Sequence, residues 1–289
     1  MKHDRFIQGH PLVSFLYFVM VILMGTVIRH PAYVAASCVA GAVYYALLRG
    51  RALFRLLLGL LPLAILVTLL NPLFNPRGAT VLFVLFGRNV TMEALLYGAV
   101  TAGIFLLTFL WFGCYSYVMT TEKFISLFSG VIPSISLLLV MVLRMIPELG
   151  RKLRHIISAR SGIGKGTGRE ESMSHRLGHG LKSLSILTDR ALEGSVVTAD
   201  SMTARGYGCG KRSSFYENKW RRSDLMTLSM MILLLGLSLW LGKTDVKFIP
   251  KLRIPYLGWG FGAYCLLLCL PIFMYGKEAL RWRKLRSEI

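Results

Sequence analysis

"MEALLYGAVTAGIFLLTFLWFGCYSYV", Met92–Val118, carries a single charged residue, Glu93, at its second position. As an α-helix rising about 1.5 Å per residue, this run is longer than the ~30 Å hydrocarbon core of a bilayer. A soluble domain would have to bury such a helix all round, whereas a bilayer requires only that it be apolar. The same reading extends outward to Leu12–Ile28, Ala35–Leu48 and Leu56–Leu70, and then to Leu225–Leu241 and Tyr256–Met274. Over 289 residues, 54% are hydrophobic and the mean hydropathy is +0.57. The fold class is therefore an all-α polytopic membrane protein, with about 5–7 membrane helices and further long helices outside the bilayer. The first apolar run follows a basic start but continues into further spans, so it reads as a retained helix rather than a cleaved signal.

Between the spans the punctuation is clear in most places. Asn71-Pro72 and Asn75-Pro76, within "NPLFNPRG", are expected to stop the third helix. "TVLFVLFGRNVT" is too short to cross as a helix. Its β-branched residues and its Gly87-Arg88-Asn89 turn suggest a small hairpin or an interfacial piece. Phe124–Leu143 is harder to place, because its apolar core is short, Pro133 opens it and Arg144-Met145-Ile146-Pro147 closes it. Counting positive charges places Lys2, Arg5, Arg49, Arg51 and Arg55 on the cytoplasmic side and Arg29, Arg77 and Arg88 on the other. Four crossings then return the chain to the cytoplasm. Either 124–147 does not fully cross or the N-terminus is outside.

The net charge of +20 is concentrated. Arg151–Arg222 holds 15 Lys/Arg against 6 Asp/Glu, nearly half the excess. On a soluble chain this would suggest nucleic acid. The block's aromatics (Tyr207, Phe215, Tyr216, Trp220) cluster near its end and make a poor base-stacking platform, so no nucleic-acid partner is expected. A basic loop facing anionic lipid fits better. By this reading the chain divides into membrane helices over 1–123, a short apolar segment leading out of the membrane over 124–147, a hydrophilic helical region over 148–222, and membrane helices with a basic tail over 223–289.

Two helices are expected in the basic block. Glu148–Ser158 places Leu149, Leu153, Ile156 and Ile157 on one side. Ser174–Met202 places Leu177, Leu181, Leu184, Ala191, Ser195, Thr198 and Met202 on one face that grades from apolar to small. Each ends in an Ala-Arg-small element: Ala159-Arg160-Ser161, then Gly162, and Ala204-Arg205-Gly206. Gly206 can supply the left-handed residue that ends a helix. Arg160 and Arg205 thus hold equivalent places. An arginine at a helix C-terminus complements the dipole by ~0.3–1 kcal/mol and by itself means little. Two of them, flanked by residues too small to obstruct the guanidinium, can each enter a pocket and pair bidentately with carboxylate or backbone oxygens.

"LRMIPELGRKLRHIISARSG" and "RALEGSVVTADSMTARGYG" resemble the transmembrane (T) component of energy-coupling factor transporters, ABC-type importers of vitamins and transition-metal ions. The likeness takes in "NPLFNPRGATVLFVL" and "VTMEALLYG" as well, and so covers most of the chain. It implies a multi-pass plasma-membrane scaffold whose long coupling helices, like its C-terminus, are cytoplasmic. It implies two ABC ATPase subunits, a homodimer or a heterodimer, as partners, and a substrate-binding (S) component in the membrane. By match, Arg160 and Arg205 are the ATPase-docking arginines, with Ala159, Ser161, Ala204 and Gly206 as their flanks. The doubling then serves two ATPases. Arg144 and Glu148, on either side of Pro147, suggest a buried salt bridge or an interfacial anchor.

The sequence lacks a Gly-x-x-x-x-Gly-Lys-Ser/Thr phosphate loop, so no ATP site of its own is expected, nor a catalytic role. Cys38, Cys114, Cys209, Cys265 and Cys269 form no Cys-x-x-Cys, and no cofactor or metal is called for. His175 and His179 lie four apart on a helix, a spacing that could hold metal, but without a third ligand a solvated face fits better. A membrane phosphatidyl-group transferase is the competing reading, since that family also carries an Ala-Arg at the membrane surface. It needs several aspartates around that element to hold metal, and here Asp189, Asp200 and Asp224 are too few.

Overall fold

A computed structural model describes residues 9–74, 80–85, 88–129, 132–164, 173–210, 220–242, 256 and 258–287. Its helices are α1 (Pro11–Val27), α2 (Pro31–Arg49), α3 (Ala52–Phe74), α4 (Met92–Val118), α5 (Thr121–Ser129), α6 (Pro133–Gly162), α7 (Met173–Ala204), α8 (Arg222–Leu241) and α9 (Trp259–Ser287). One antiparallel hairpin, β1 (Val81–Leu85) and β2 (Arg88–Thr91), precedes α4. Among the described residues, α2, α3, α4, α8 and the Trp259–Gly276 part of α9 are long and apolar enough to cross a membrane, and α1 is a shorter apolar helix. The protein is an all-α, multi-pass membrane protein.

The chain forms two compact units, Met1–Phe124 with Asn218–Ile289, and Ile125–Glu217. In the first, α4 is the centre and packs on α1, α2 and α3. Trp111 is fully buried, and its indole N–H donates to Ser37 Oγ on α2 at 2.9 Å. The rings of Tyr17, Phe18 and Tyr44 lie 6.0, 6.3 and 6.4 Å from it. Glycine permits the approach of α3 to α4: a Cβ at Gly98 would lie 2.9 Å from the Thr68 carbonyl oxygen and 2.9 Å from Asn71 Cβ. Without a hydrophobic drive between helices in lipid, such backbone proximity is what association rests on. The α8–α9 pair joins the bundle through α2 and α1. Tyr33 of α2 stacks in a tilted geometry on Tyr264 of α9, and Tyr17 donates to the Leu268 carbonyl at 3.4 Å.

Two expectations about helix ends need correction. Asn71-Pro72 does not stop the third helix, because α3 runs on to Phe74. Pro72 forfeits one backbone hydrogen bond, but the packing of Thr68 and Asn71 on Gly98 holds the turn. Pro147 likewise lies inside α6, so the short apolar run and the first basic helix are one continuous helix. Asn75, Pro76 and Gly87 lie outside the described residues. Arg88 and Asn89, expected in the hairpin turn, instead pair in β2 with Leu85 and Val84.

A repeated device opens the first two helices. In each, a His-Pro pair places His at the N-cap and Pro in the first turn: His10 Nδ1 accepts from Leu12 N at 3.2 Å, and His30 Nδ1 from Ala32 N at 3.2 Å. The side chain satisfies an orphan amide, and proline supplies the preset φ and needs no donor. The His10 ring also stacks on Trp220, centroids 4.1 Å apart. Burial pushes the His10 imidazole below its ordinary 6.5, with Asp224 pulling the other way.

Two predictions follow from these contacts, both read by thermal unfolding in mild detergent. Gly98→Ala should destabilise by about 1–3 kcal/mol. Gly59→Ala, with nothing within 4 Å of the added carbon, should be neutral or should stabilise by up to about 1 kcal/mol. His10→Ala should cost about 1 kcal/mol and His10→Asn far less. The cap needs a neutral Nδ1. Its contribution is therefore full above the unfolded value of about 6.5 and is lost as pH falls through the lower folded value. That acid-side decline should vanish in His10→Asn.

Candidate functional site

The second unit contains the two Ala-Arg elements, on α6 and α7, which pack on each other. α6 is apolar through Leu143 and mixed and basic beyond it. Ile156 is its most buried residue in the basic half, while Ile157, expected on the same side, is 43% exposed. On α7 the less exposed face overlaps the expected one only in part. Ser183 is buried and His179, Ile186, Leu187, Ala191 and Gly194 are half-buried, whereas Leu177, Leu181 and Leu184 are exposed. Ala191 and Met202 of the expected face lie on the less exposed side, and its leucines do not. The leucines remain as an uncovered row.

Ala204-Arg205-Gly206 forms a complete helix stop. Gly206 has φ +78°, its N–H donates to the Thr203 carbonyl at 2.9 Å, and the Tyr207 N–H donates to the Met202 carbonyl at 3.0 Å. This pair of bonds is the Schellman arrangement, with Gly206 as its left-handed residue and Arg205 as the C-cap. The Arg205 side chain is exposed, and so are Ala204 and Gly206. Thr203 Oγ1 turns back to the Asp200 carbonyl at 2.8 Å, which leaves the last turn free of other side chains.

Ala159-Arg160-Ser161 is built differently. The helix continues to Gly162, and Gly164, not Gly162, takes the left-handed conformation, with φ +72° and its N–H donated to the Ser161 carbonyl at 3.1 Å. Ser161 Oγ donates to the Ser158 carbonyl at 2.7 Å. Ala159 and Ser161 are exposed, but Arg160 is only half-exposed. Its Nη2 lies 3.2 Å from Nδ1 of His179 on α7, and its Nη1 is buried with no hydrogen-bond partner among the described residues. The two arginines are therefore not equivalent. Arg160 sits inside a helical turn where α7 supplies an acceptor, whereas Arg205 sits at a cap beyond the packed stripe.

No protein-family model matches the chain, and no curated protein sequence matches it.

Glu148 pairs with Lys152 at 2.9 Å, one turn along α6, rather than with Arg144, and both side chains are well exposed. The neighbouring ammonium holds the Glu148 carboxyl below its ordinary value. An exposed pair of this kind contributes little to stability, so the expected buried bridge across Pro147 is not formed. Among the described residues no three His, Cys, Asp or Glu are grouped to hold a metal ion. His175 is exposed, and His179 is engaged by Arg160. His179 was missed as a partner because the residues between α6 and α7 hide which turn of one helix faces which turn of the other.

What this arrangement offers chemically is donors. One guanidinium is fully presented at a glycine-terminated helix end, and a second has one nitrogen held and one without an acceptor. Replacing Gly206 by Ala would force a left-handed Cβ, which costs about 1–2 kcal/mol. Hydrogen exchange should show the Gly206 and Tyr207 amides losing protection, while Gly194→Ala, with nothing within 4 Å of the new carbon, should leave them protected.

Proposed function

We propose that the chain is the transmembrane scaffold of an energy-coupling importer, in which two ABC ATPases dock on the ends of α6 and α7 and a substrate-binding membrane component rides on the same scaffold. The observation that carries this reading is the pairing itself. Two long helices in one unit each end in an arginine between small residues, and each is followed by a left-handed glycine. Arg205 is exposed and Arg160 partly so, each between exposed small residues. A bundle of apolar helices in the same polypeptide anchors that unit at the bilayer.

In this reading the chain hydrolyses nothing. ATP binding brings the two ATPases together, hydrolysis lets them part, and Arg160 and Arg205 keep α6 and α7 attached through both states. Helices are stiff along their axes, so displacement at their ends reaches the membrane bundle and reorients the substrate-binding component. The basic unit and the C-terminal tail then face the cytoplasm, in line with the positive-inside rule. The cargo, a vitamin or a transition-metal ion, is chosen by the substrate-binding component.

The test is capture of the tagged full chain from its host in mild detergent, with bound proteins identified by mass spectrometry. Wild type should retain two ABC ATPases and a small membrane protein. Arg160→Glu or Arg205→Glu alone should weaken ATPase retention by at least about tenfold, as expected for the loss of a charge-assisted anchor. The double variant should lose the ATPases, keep the small membrane protein and abolish uptake. Normal uptake by the double variant, or no ATPase with wild type, would overturn the reading. In the second case a lipid-group transfer assay is the next measurement.

A further inference from the structure

Arg160 differs from Arg205 in one contact that has no counterpart at the other helix end. Its Nη2 is 3.2 Å from His179 Nδ1, and its Nη1 is buried and has no partner among the described residues. For the first contact to be a hydrogen bond, Nδ1 must be the unprotonated nitrogen, with the proton on Nε2. His179 is itself fixed on α7, where Ser183 Oγ donates to its backbone carbonyl at 2.9 Å and the Ser183 side chain is buried against the packed stripe. One edge of the guanidinium is thus held by a neutral ring, and the other is left with N–H donors that have no acceptor. A buried donor without an acceptor is unfavourable, and more so when it belongs to a cation. A guanidinium free to rotate would turn that edge to water, as Arg205 is free to do from its exposed cap.

We propose that His179 is a positioning residue for Arg160. It bonds Nη2 and so holds the guanidinium in one orientation, with Nη1 turned inward and the exposed part of the side chain presented to the docking partner. The assignment rests on the docking reading for the identity of that partner, but not for the contact itself. It gives the two ends of the scaffold different chemistry. At Arg160 the guanidinium is oriented before the partner arrives, and less side-chain freedom is lost on docking. At Arg205 it is ordered only by the partner.

The test uses the isolated full chain in detergent and an arginine-selective dicarbonyl, phenylglyoxal, with modification at each arginine followed by mass spectrometry. In wild type, Arg160 should react at least about tenfold more slowly than Arg205, since one of its nitrogens is bonded and another is buried. His179→Leu removes the acceptor and should bring the two rates within about threefold. His179→Gln, which offers an amide oxygen, should restore the difference. Hydrogen-exchange protection of the Gly206 and Tyr207 amides, at the wild-type level, checks that each variant is folded. Equal rates in wild type, or persistent protection of Arg160 in His179→Leu, would overturn the assignment. The separate capture experiment tests the partner. His179→Leu should weaken ATPase retention about tenfold and His179→Gln by less than about threefold. If Arg160→Glu leaves ATPase retention intact while the labelling contrast holds, the docking reading fails and the positioning of Arg160 by His179 stands.

Discussion

The indole N–H of Trp111 donated to Ser37, fully buried in the last third of α4, is the contact around which the membrane unit is arranged. A buried donor in an apolar bundle must find an acceptor, and here the acceptor lies on another helix. That requirement sets the register of α2 against α4. Gly41, whose added Cβ would lie 3.2 Å from the same indole nitrogen, keeps the two backbones close enough for the bond to form. Tyr17, Phe18 and Tyr44 fill the space that a ring of that size leaves at a helix crossing. With α2 and α4 in register, Tyr33 of α2 meets Tyr264 and Phe261 of α9, so the last helix of the chain is keyed to the α2–α4 pair.

Helices α3 and α7 show the opposite condition. Phe54, Leu58, Ile65, Leu66 and Leu69 of α3 are all exposed, as are Leu177, Leu181, Leu184 and Leu192 of α7. On α3 this is what a lipid-facing helix should look like, because hydrocarbon is as good a neighbour as another leucine. α7 has a low overall hydrophobicity and many charges, so the same exposure cannot be explained by composition suited to a bilayer. Its leucines are exposed on a helix that also carries many charged and polar residues.

Much of this was legible in the sequence. The apolar runs gave the membrane helices to within a few residues, because length and hydropathy are properties of the chain alone. The left-handed Gly206 was legible for the same reason, since a glycine after a helical pattern has few other uses. What failed was whatever depends on a second element. Pro72 and Pro147 read as stops, yet a proline's local cost can be outweighed by the contacts of the helix that continues through it. Glu148 read as the partner of Arg144, yet Lys152, one turn further along, was the nearer cation. Arg160 and Arg205 read as a matched pair because their neighbours match. The difference between them is made by His179, nineteen residues from one and twenty-six from the other, and no local pattern encodes it.

That difference also has a bearing on symmetry. The two Ala-Arg elements lie on successive helices of one chain, and their surroundings differ although their motifs are nearly the same. Two ATPase subunits, whether identical or merely similar, would meet a pre-oriented guanidinium at one end and a mobile one at the other. An oriented donor gives up less freedom on binding and so holds longer for the same contacts, and a mobile one accommodates movement better. A scaffold that must stay attached while its two partners close and part benefits from having one of each: a fixed end to define position and an adaptable end to follow the stroke. In the proposed reading, the inequality of Arg160 and Arg205 is a consequence of asking one asymmetric chain to serve two related partners.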